Sequence, residues 1–326
     1  MTEQEKVFYN EEFNFSYSSL KKLLFAPSVF YKEYVLKEKE SKTSKNLLEG
    51  SLLHCLLFEP NKFNEKFKIS LDKYPSKDVM NVLNIVKSLS DATNIYDCDD
   101  LLILSTLKDN DLYQSYKKDE LRLSKIKTDA NNLYWQYINN PVIDVVTQEM
   151  VDKALERVEI LKSNKEVNKL LSFEDTPDFP FDPIEVYVEQ EYKTKLTNKK
   201  FGLKGFVDYC VIDNKNKVIT IADLKTTGKS ISDFKETVDY YDYWLQAAMY
   251  KKLVSDNVYG AGDKYKVVFK FIVIDNMDQV YVFEVTEETM TYWEEKMTDV
   301  LEKANYHYEN NDYSLPFEFI TGHVKI

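Results

Sequence analysis

Glycine is scarce in this chain, with 7 residues among 326, so the glycine-rich loops that cradle phosphate groups are not expected. The three cysteines, Cys55, Cys98 and Cys210, are widely separated, which argues against a disulfide framework and against a metal site made of cysteine alone. No apolar run approaches the roughly 18–20 residues that a membrane-spanning helix needs, and the first residues lack the character of a signal peptide. We therefore expect a soluble protein of the cytoplasm.

Charged residues are numerous but unevenly placed. The formal net charge is −12, which argues against a protein that coats nucleic acid with its whole surface. Seven lysines nevertheless stand against three aspartates between Lys199 and Lys229, and seven lysines stand against three glutamates between residues 20 and 45. A single lysine run is most often a solvated face. Two runs that bracket the residues described below favour a local channel for phosphate groups.

Helical periodicity dominates the first ~170 residues, and the alternation typical of strands appears in the following ~115. We predict a mostly helical section over residues 1–175 and a mixed section over 176–326, both within one integrated domain. The strands are expected at 184–192, 201–212, 218–225, 266–274 and 280–285, and a single amphipathic helix at 147–171. The fold class that follows is α/β (α+β), with a mixed central sheet flanked by helices.

Two aspartates and a lysine form the sharpest chemical feature. The segment GFVD ends at Asp208, a short hairpin follows, and the next strand carries Asp223 and Lys225. Side chains two apart on a strand share a face, so Asp223 and Lys225 project together, and Asp208 on the neighbouring strand can reach the same point. Converging carboxylates repel each other, and a divalent cation relieves that repulsion. The alternative is an ordinary cross-strand salt bridge between Asp208 and Lys225.

Two further features admit both a plain and a functional interpretation. His54 lies in the run from Asn46 to Pro60, which is apolar on nearly every face, is stopped by Pro60 and is typical of a buried helix. A lone histidine there is more often a hydrogen-bonded core residue than a metal ligand, although the chain has only three histidines. Gln246 and Tyr250 share one helix face, a spacing that packing alone can explain.

Five short motifs occur in a fixed order along the chain: SYSSL from Ser16 with Pro27, GSLLH ending at His54 with Glu59 and Pro60, GFVD ending at Asp208, DLKTT from Asp223, and Gln246-x-x-x-Tyr250. The ordered set resembles the RecB/RecE-like branch of the PD-(D/E)XK nuclease superfamily, and within it the phage exonuclease VIII-type proteins. The resemblance covers about residues 14–60 and 147–305 and leaves 61–146 unexplained. Val207 stands where the superfamily's name has a proline.

The resemblance implies a role for each matching residue. His54, Asp208 and Asp223 would be metal ligands, Leu224 would offer its backbone carbonyl, and Lys225 would be the catalytic lysine. These residues would hold Mg²⁺ or Mn²⁺, in a site for two ions.

The resemblance also implies residues that act around this centre. The residues expected to touch DNA are Gln246, Tyr250, Thr226 and Lys204, of which the first two could instead brace the site. Glu189 or Glu191, on the preceding strand, would match an accessory acidic position, and spacing does not decide between them.

By the same resemblance, the chain would have a restriction-endonuclease-like fold and act as a metal-dependent exonuclease on linear double-stranded DNA. It would resect ends for a single-strand annealing partner in phage-type recombination, be encoded by a phage or prophage, and close into a homo-oligomeric ring. Two alternatives stay open: a structure-selective endonuclease, and a catalytically silent module that binds DNA or protein with the same fold.

Overall fold

A computed structural model describes residues 3–10, 13–38, 44–142, 144–172, 184–258 and 265–322, together with Val324. The chain divides into two compact units, the first formed by Met1–Phe58 and Glu156–Ile326 and the second by Glu59–Leu155. The boundary that the sequence suggests between residues 175 and 176 lies outside the described residues. The helices that precede residue 59 therefore belong to the same unit as the strands that follow residue 183.

The strands are β1 (Asn14–Phe15), β2 (Phe67–Ile69), β3 (Asp144–Val146), β4 (Ile184–Lys195), β5 (Gly202–Asp213), β6 (Val218–Thr226), β7 (Lys266–Ile274) and β8 (Val280–Val285). The helices up to residue 139 are α1 (Glu3–Asn10), α2 (Tyr17–Phe25), α3 (Pro27–Phe30), α4 (Lys45–Phe58), α5 (Phe63–Lys66), α6 (Lys77–Ser88), α7 (Asp100–Asp109), α8 (Asp119–Ile126) and α9 (Asp129–Asn139). The later helices are α10 (Gln148–Ser163), α11 (Lys165–Leu171), α12 (Phe234–Tyr240), α13 (Tyr243–Asn257), α14 (Glu287–Asn310) and α15 (Phe317–Ile320).

The first unit is built on one mixed sheet. Its strands follow the order β4, β5, β6, β7, β8, and β1 adds a short parallel pairing at the start of β5. The β4–β5, β5–β6 and β7–β8 pairs are antiparallel, whereas β6 and β7 run parallel. Strand β6 thus lies inside the sheet with a partner on each side. The mixed sheet flanked by helices confirms the predicted fold class.

Helix α13 packs against this sheet at close range. Its apolar side chains are buried almost all round, as expected for a helix inside the core. A Cβ built on Gly205 of β5 would lie 2.9 Å from Cε1 of Tyr250 and 3.1 Å from Cδ1 of Leu253. The missing side chain at position 205 therefore lets α13 approach strand β5, which carries Asp208 three residues later.

Two N-terminal helices of the first unit, α2 and α4, differ in how they begin and in how much of them is buried. The side chain of Ser16 accepts a hydrogen bond from the backbone N–H of Ser19, and the hydroxyl of Ser19 accepts one from the backbone N–H of Ser16, a capping box that begins α2. Helix α4 is buried only along its second half, because Leu47 near its start is 65% exposed. The expectation that this helix is buried as a whole was therefore wrong.

The predicted helix 147–171 is two helices, α10 and α11. Asn164 stands between them, and its side-chain oxygen accepts from the backbone N–H groups of Glu166 and Val167 at 3.0 and 3.2 Å. Such a cap satisfies the free N–H groups of a new helix start. The apolar periodicity continues through the break, which is why the sequence indicates one helix.

The second unit is helical apart from the parallel pair of β2 and β3. Its core lies around Trp135, whose indole N–H donates to the carbonyl of Ala92 at 3.0 Å. None of the described helices in either unit is long and apolar enough to cross a lipid bilayer.

Candidate active site

His54 lies between two carboxylates on the sheet of the first unit. Its Nε2 is 2.9 Å from Oδ2 of Asp208, and its Nδ1 is 3.0 Å from Oε1 of Glu189. Helix α4 supplies the imidazole, and the adjacent strands β5 and β4 supply the two acids. The ligand-type atoms of these three residues all lie within 4.8 Å of one another.

The two carboxylates that contact His54 favour the protonated form of its imidazole. Burial by itself would lower the pKa of His54, but the hydrogen bond to Asp208 and the charges of Asp208 and Glu189 outweigh it and raise that pKa. The protonated imidazole then balances the two carboxylates. A divalent cation is another source of the same positive charge, and carboxylate oxygens are the ligands that Mg²⁺ and Mn²⁺ prefer. The donor set of two carboxylates and one imidazole therefore fits a divalent ion.

The strands β5 and β6 separate where the aspartates lie. Their backbone pairing ends at Tyr209 and Ala222, one residue short of Asp208 and Asp223. Oδ2 of Asp208 accepts a hydrogen bond from the backbone N–H of Leu224 at 2.9 Å. A side chain thus replaces the ladder hydrogen bond at this point and fixes the Asp208 carboxylate beside β6.

Asp223 and Lys225 form an ion pair inside the protein. Nζ of Lys225 is 2.6 Å from Oδ2 of Asp223, and the side chain of Asp223 is 1% exposed and that of Lys225 13%. Burial would lower the pKa of Lys225, but the charges of Asp223 and Asp208 outweigh it, so the net direction is upward. Burial also raises the pKa of Asp223, which Lys225 only partly offsets. Lys225 is consequently a fixed positive charge at neutral pH.

Gln246 joins this ion pair to helix α13. Its Oε1 accepts from Nζ of Lys225 at 2.8 Å, and its Nε2 donates to Oδ1 of Asp223 at 3.0 Å and to the hydroxyl of Tyr250 at 3.0 Å. Gln246 and Tyr250 are both buried. These hydrogen bonds hold the amine of Lys225 in one direction, and whether Gln246 and Tyr250 also touch DNA stays a prediction.

The predicted residues divide into groups. His54, Asp208 and one of the two glutamates, Glu189, meet in the cluster of ligand atoms, whereas Glu191 forms an ion pair with Lys193 at 3.1 Å. Asp223, also predicted as a ligand, contacts Lys225 and Gln246, and its role as a ligand stays a prediction.

The remaining predicted positions lie around this cluster. Leu224 is buried, and Thr226 ends β6 close to α4, where a Cβ built on Gly50 would lie 3.5 Å from its Oγ1. Lys204 is exposed on β5, opposite Lys193 of β4.

Two tyrosines near the site were missed by the sequence analysis. The ring of Tyr243 lies over Lys225, with its centroid 4.5 Å from Nζ. Tyr17 donates a hydrogen bond to the carbonyl of Tyr241, and burial followed by the charges of Tyr243, Asp242 and Asp223 raises its pKa. Tyr17 stands in the SYSSL motif, so a signal for it was present. No sequence signal pointed to Tyr243, because the chain has 24 tyrosines and no motif distinguished this one.

The family model for the PD-(D/E)XK nuclease superfamily matches residues 107–315, which is more than half of the chain. The chain belongs to the PD-(D/E)XK nuclease superfamily. The matched residues include Asp208, Asp223 and Lys225, whereas His54 precedes them. Nucleases of this superfamily use divalent metals, which agrees with the donor set around His54.

The solved structures that are similar to the chain include two of low sequence identity. One, from Eubacterium rectale, is described as a "putative exonuclease" and is 15% identical, with 95% of this chain and 87% of that chain covered and a TM-score of 0.46. The other, a protein named SSO0001, is 16% identical, with 68% and 84% covered and a TM-score of 0.23. No curated protein matches the chain.

Proposed function

We propose that this nuclease is a metal-dependent exonuclease that hydrolyses phosphodiester bonds of linear double-stranded DNA. The observation that carries the proposal is the convergence of His54, Glu189 and Asp208 next to a protonated Lys225 whose side chain is only 13% exposed. An ordinary cross-strand salt bridge would need only one of these acids. Gathering three ligand-type groups around one point, beside an amine held by two partners, costs folding free energy. Such clusters are typical of functional sites.

His54, Glu189 and Asp208 would hold the divalent ion. That ion would supply Lewis-acid stabilisation of the negative charge that develops on the phosphate. Asp223 forms an ion pair with Lys225. To act as a metal ligand as well, its carboxylate would have to release Lys225 and bind the ion.

Lys225 would act directly on the substrate. Its charge is fixed by Asp223 and Gln246, so it can stabilise negative charge on a phosphate oxygen without reorganising during the reaction. The amine can also orient the attacking water by a hydrogen bond. Tyr243 covers one side of the amine and restricts where a phosphate can reach it.

Preference for linear duplex DNA rests on the sequence resemblance to exonuclease VIII-type proteins and on the local lysine surplus of a chain with net charge −12. An acidic protein with lysines near its site repels DNA over most of its surface and admits it at one place. The same resemblance suggests a role in phage-type recombination, a single-strand annealing partner and a ring of identical subunits. Light scattering on the purified chain tests the ring.

The function is tested by incubating the purified chain with linear and with covalently closed circular duplex DNA of the same sequence, with Mg²⁺ and with a chelator. We expect Mg²⁺-dependent loss of the linear DNA alone, with 5′-phosphate products. Lys225→Met is the matched inactive variant. Cutting of the circle would establish an endonuclease instead, and equal recovery of both DNAs from wild type and Lys225→Met would establish a silent module.

A further inference from the structure

A row of aromatic rings leads from the catalytic lysine to the protein surface. Tyr243 covers Lys225, Tyr241 stacks on Tyr243 with ring centroids 5.6 Å apart, and Tyr240 meets Tyr241 edge-on at 4.9 Å. We call this cluster of Tyr240, Tyr241 and Tyr243 the tyrosine row. Exposure rises along it, to 44% at Tyr241 and 71% at Tyr240. Exposed aromatic side chains that contact one another form a patch of the kind that marks an interaction site.

The backbone that carries the tyrosine row is held in place. Tyr17 and Lys21 of α2 both donate to the carbonyl of Tyr241, the latter at 2.7 Å. Asp242 adopts a left-handed backbone with a φ of 57°, and its carboxylate is 3.5 Å from Nζ of Lys21. This conformation turns the chain sharply between α12 and α13, and it sets Tyr240 and Tyr241 on the outside of the turn.

Lysine charges lie against the outer rings. Nζ of Lys21 is 5.4 Å from the ring centroid of Tyr241, and Nζ of Lys229 is 5.6 Å from that of Tyr240. Exposed aromatic rings that alternate with lysines are typical of proteins that bind single-stranded nucleic acid, because bases stack on the rings and phosphates pair with the lysine charges.

We propose that the tyrosine row binds unpaired nucleotides of the DNA end, stacking their bases and leading one strand toward Lys225. The inference rests on the proposed function and adds to it the single-stranded character of the bound end. Bases inside a duplex are already stacked on each other, whereas an unpaired base can offer both of its faces to Tyr240 and Tyr241. The two lysines favour a polyanion over an apolar protein segment as the occupant.

The test measures binding of the full chain in chelator to a labelled duplex with a five-thymidine overhang, of either polarity, by fluorescence anisotropy. The comparison DNA carries abasic residues in the overhang, so it has the same charge but no bases. We expect wild type to bind the thymidine overhang of one polarity roughly tenfold more tightly than its abasic counterpart. The double variant Tyr240→Leu/Tyr241→Leu should lose that preference, whereas Tyr240→Phe/Tyr241→Phe should keep it.

Two controls make the result specific. Tyr281→Leu removes a tyrosine that is similarly exposed, at 56%, on strand β8, and should leave the preference unchanged. Lys229→Gln should lower the slope of log Kd against log salt by about 0.7, the value for one phosphate contact on a single strand.

The outcomes separate this inference from the proposed function. Equal binding of thymidine and abasic overhangs by wild type, or an unchanged preference in the double leucine variant, overturns the inference. If wild type also degrades linear duplex with Mg²⁺, the proposed function survives and the tyrosine row serves another partner. If wild type degrades no DNA, the proposed function fails, whatever the overhang preference.

Discussion

The carboxylate of Glu189 lies 3.0 Å from Nδ1 of His54, at the ring nitrogen that Asp208 does not contact. One histidine thus ties strand β4 to strand β5 through both of its nitrogens. Glu189 has a left-handed backbone with a φ of 50°, unusual inside a strand, and the β4–β5 pairs recorded on either side of it keep the same register. The imidazole is therefore held by two acids from neighbouring strands.

Replacing Glu189 by glutamine should abolish metal-dependent hydrolysis. The change keeps the size of the side chain but removes one of the two carboxylates beside His54, so affinity for Mn²⁺ should fall by at least tenfold. Titration calorimetry with Mn²⁺ and a nuclease assay measure the two effects. Glu191→Gln is the matched control, because Glu191 contacts Lys193 and not His54. Equal losses in the two variants would contradict the assignment of Glu189.

Asp223→Ala should destabilise the metal-free protein by about 3 kcal/mol. It leaves the ammonium of Lys225 buried without the carboxylate that balances it, and breaking one side of a buried ion pair costs that amount. The double variant Asp223→Ala/Lys225→Met should regain most of the lost stability, because no unpaired charge remains. Melting temperatures in chelator measure both. A double variant no more stable than Asp223→Ala would show that the ion pair is not the cause.

The stability of the metal-free protein should fall as pH rises through the pKa of His54. That pKa is raised in the folded state above its unfolded value of about 6.5, so the protonated imidazole stabilises the fold fully below 6.5 and loses that effect above it. Between pH 6 and pH 9 in chelator, the wild-type melting temperature should drop more than that of His54→Gln. Parallel curves for the two proteins would refute the charge role of His54.

Gln246→Leu should lower turnover by about a hundredfold at saturating Mg²⁺. The leucine removes the hydrogen bonds that aim Lys225 and Asp223, and a misplaced catalytic group costs about that factor. Binding of Mn²⁺ should change little, because Gln246 contacts neither His54 nor Glu189 in the described contacts. Gln246→Asn is the informative second variant: its amide is one methylene shorter, and partial turnover there supports a positioning role.

Gly205→Ala should destabilise the protein by about 1–3 kcal/mol and reduce activity as well. The new methyl group would press on Tyr250 and Leu253 of α13, at 2.9 and 3.1 Å, and overpacking of this kind costs that amount. Gly228→Ala is the control, because a Cβ there meets nothing within 4 Å. Similar melting temperatures for the two variants would mean that α13 moves away without penalty.

Much of the fold could be predicted because its signals are local. Alternating apolar residues predicted β7 and β8 with the bounds that the structure has, since each strand ends at a short turn. Adjacent hairpin strands were enough to bring Asp208 near the strand of Asp223 and Lys225. The mixed sheet followed from the same pattern of strands and helices.

The details of the site depended on contacts that the sequence does not encode locally. The choice between Glu189 and Glu191 rests on a left-handed backbone at one residue, which strand periodicity does not reveal. The pairing of Asp223 with Lys225 depends on Gln246, which α13 places from the far side of the ion pair. The break at Asn164 was hidden because a cap can interrupt a helix without interrupting its apolar stripe.

The left-handed backbone of Glu189 restricts which amino acids this position can accept. A β-branched residue there would clash with its own main chain, and glycine or asparagine, which tolerate that conformation, lack the carboxylate. Most exchanges at position 189 would therefore cause two separate losses, one in the backbone conformation of the strand and one in the carboxylate beside the imidazole. Aspartate is the mildest substitution, and its shorter arm would leave a gap beside the imidazole.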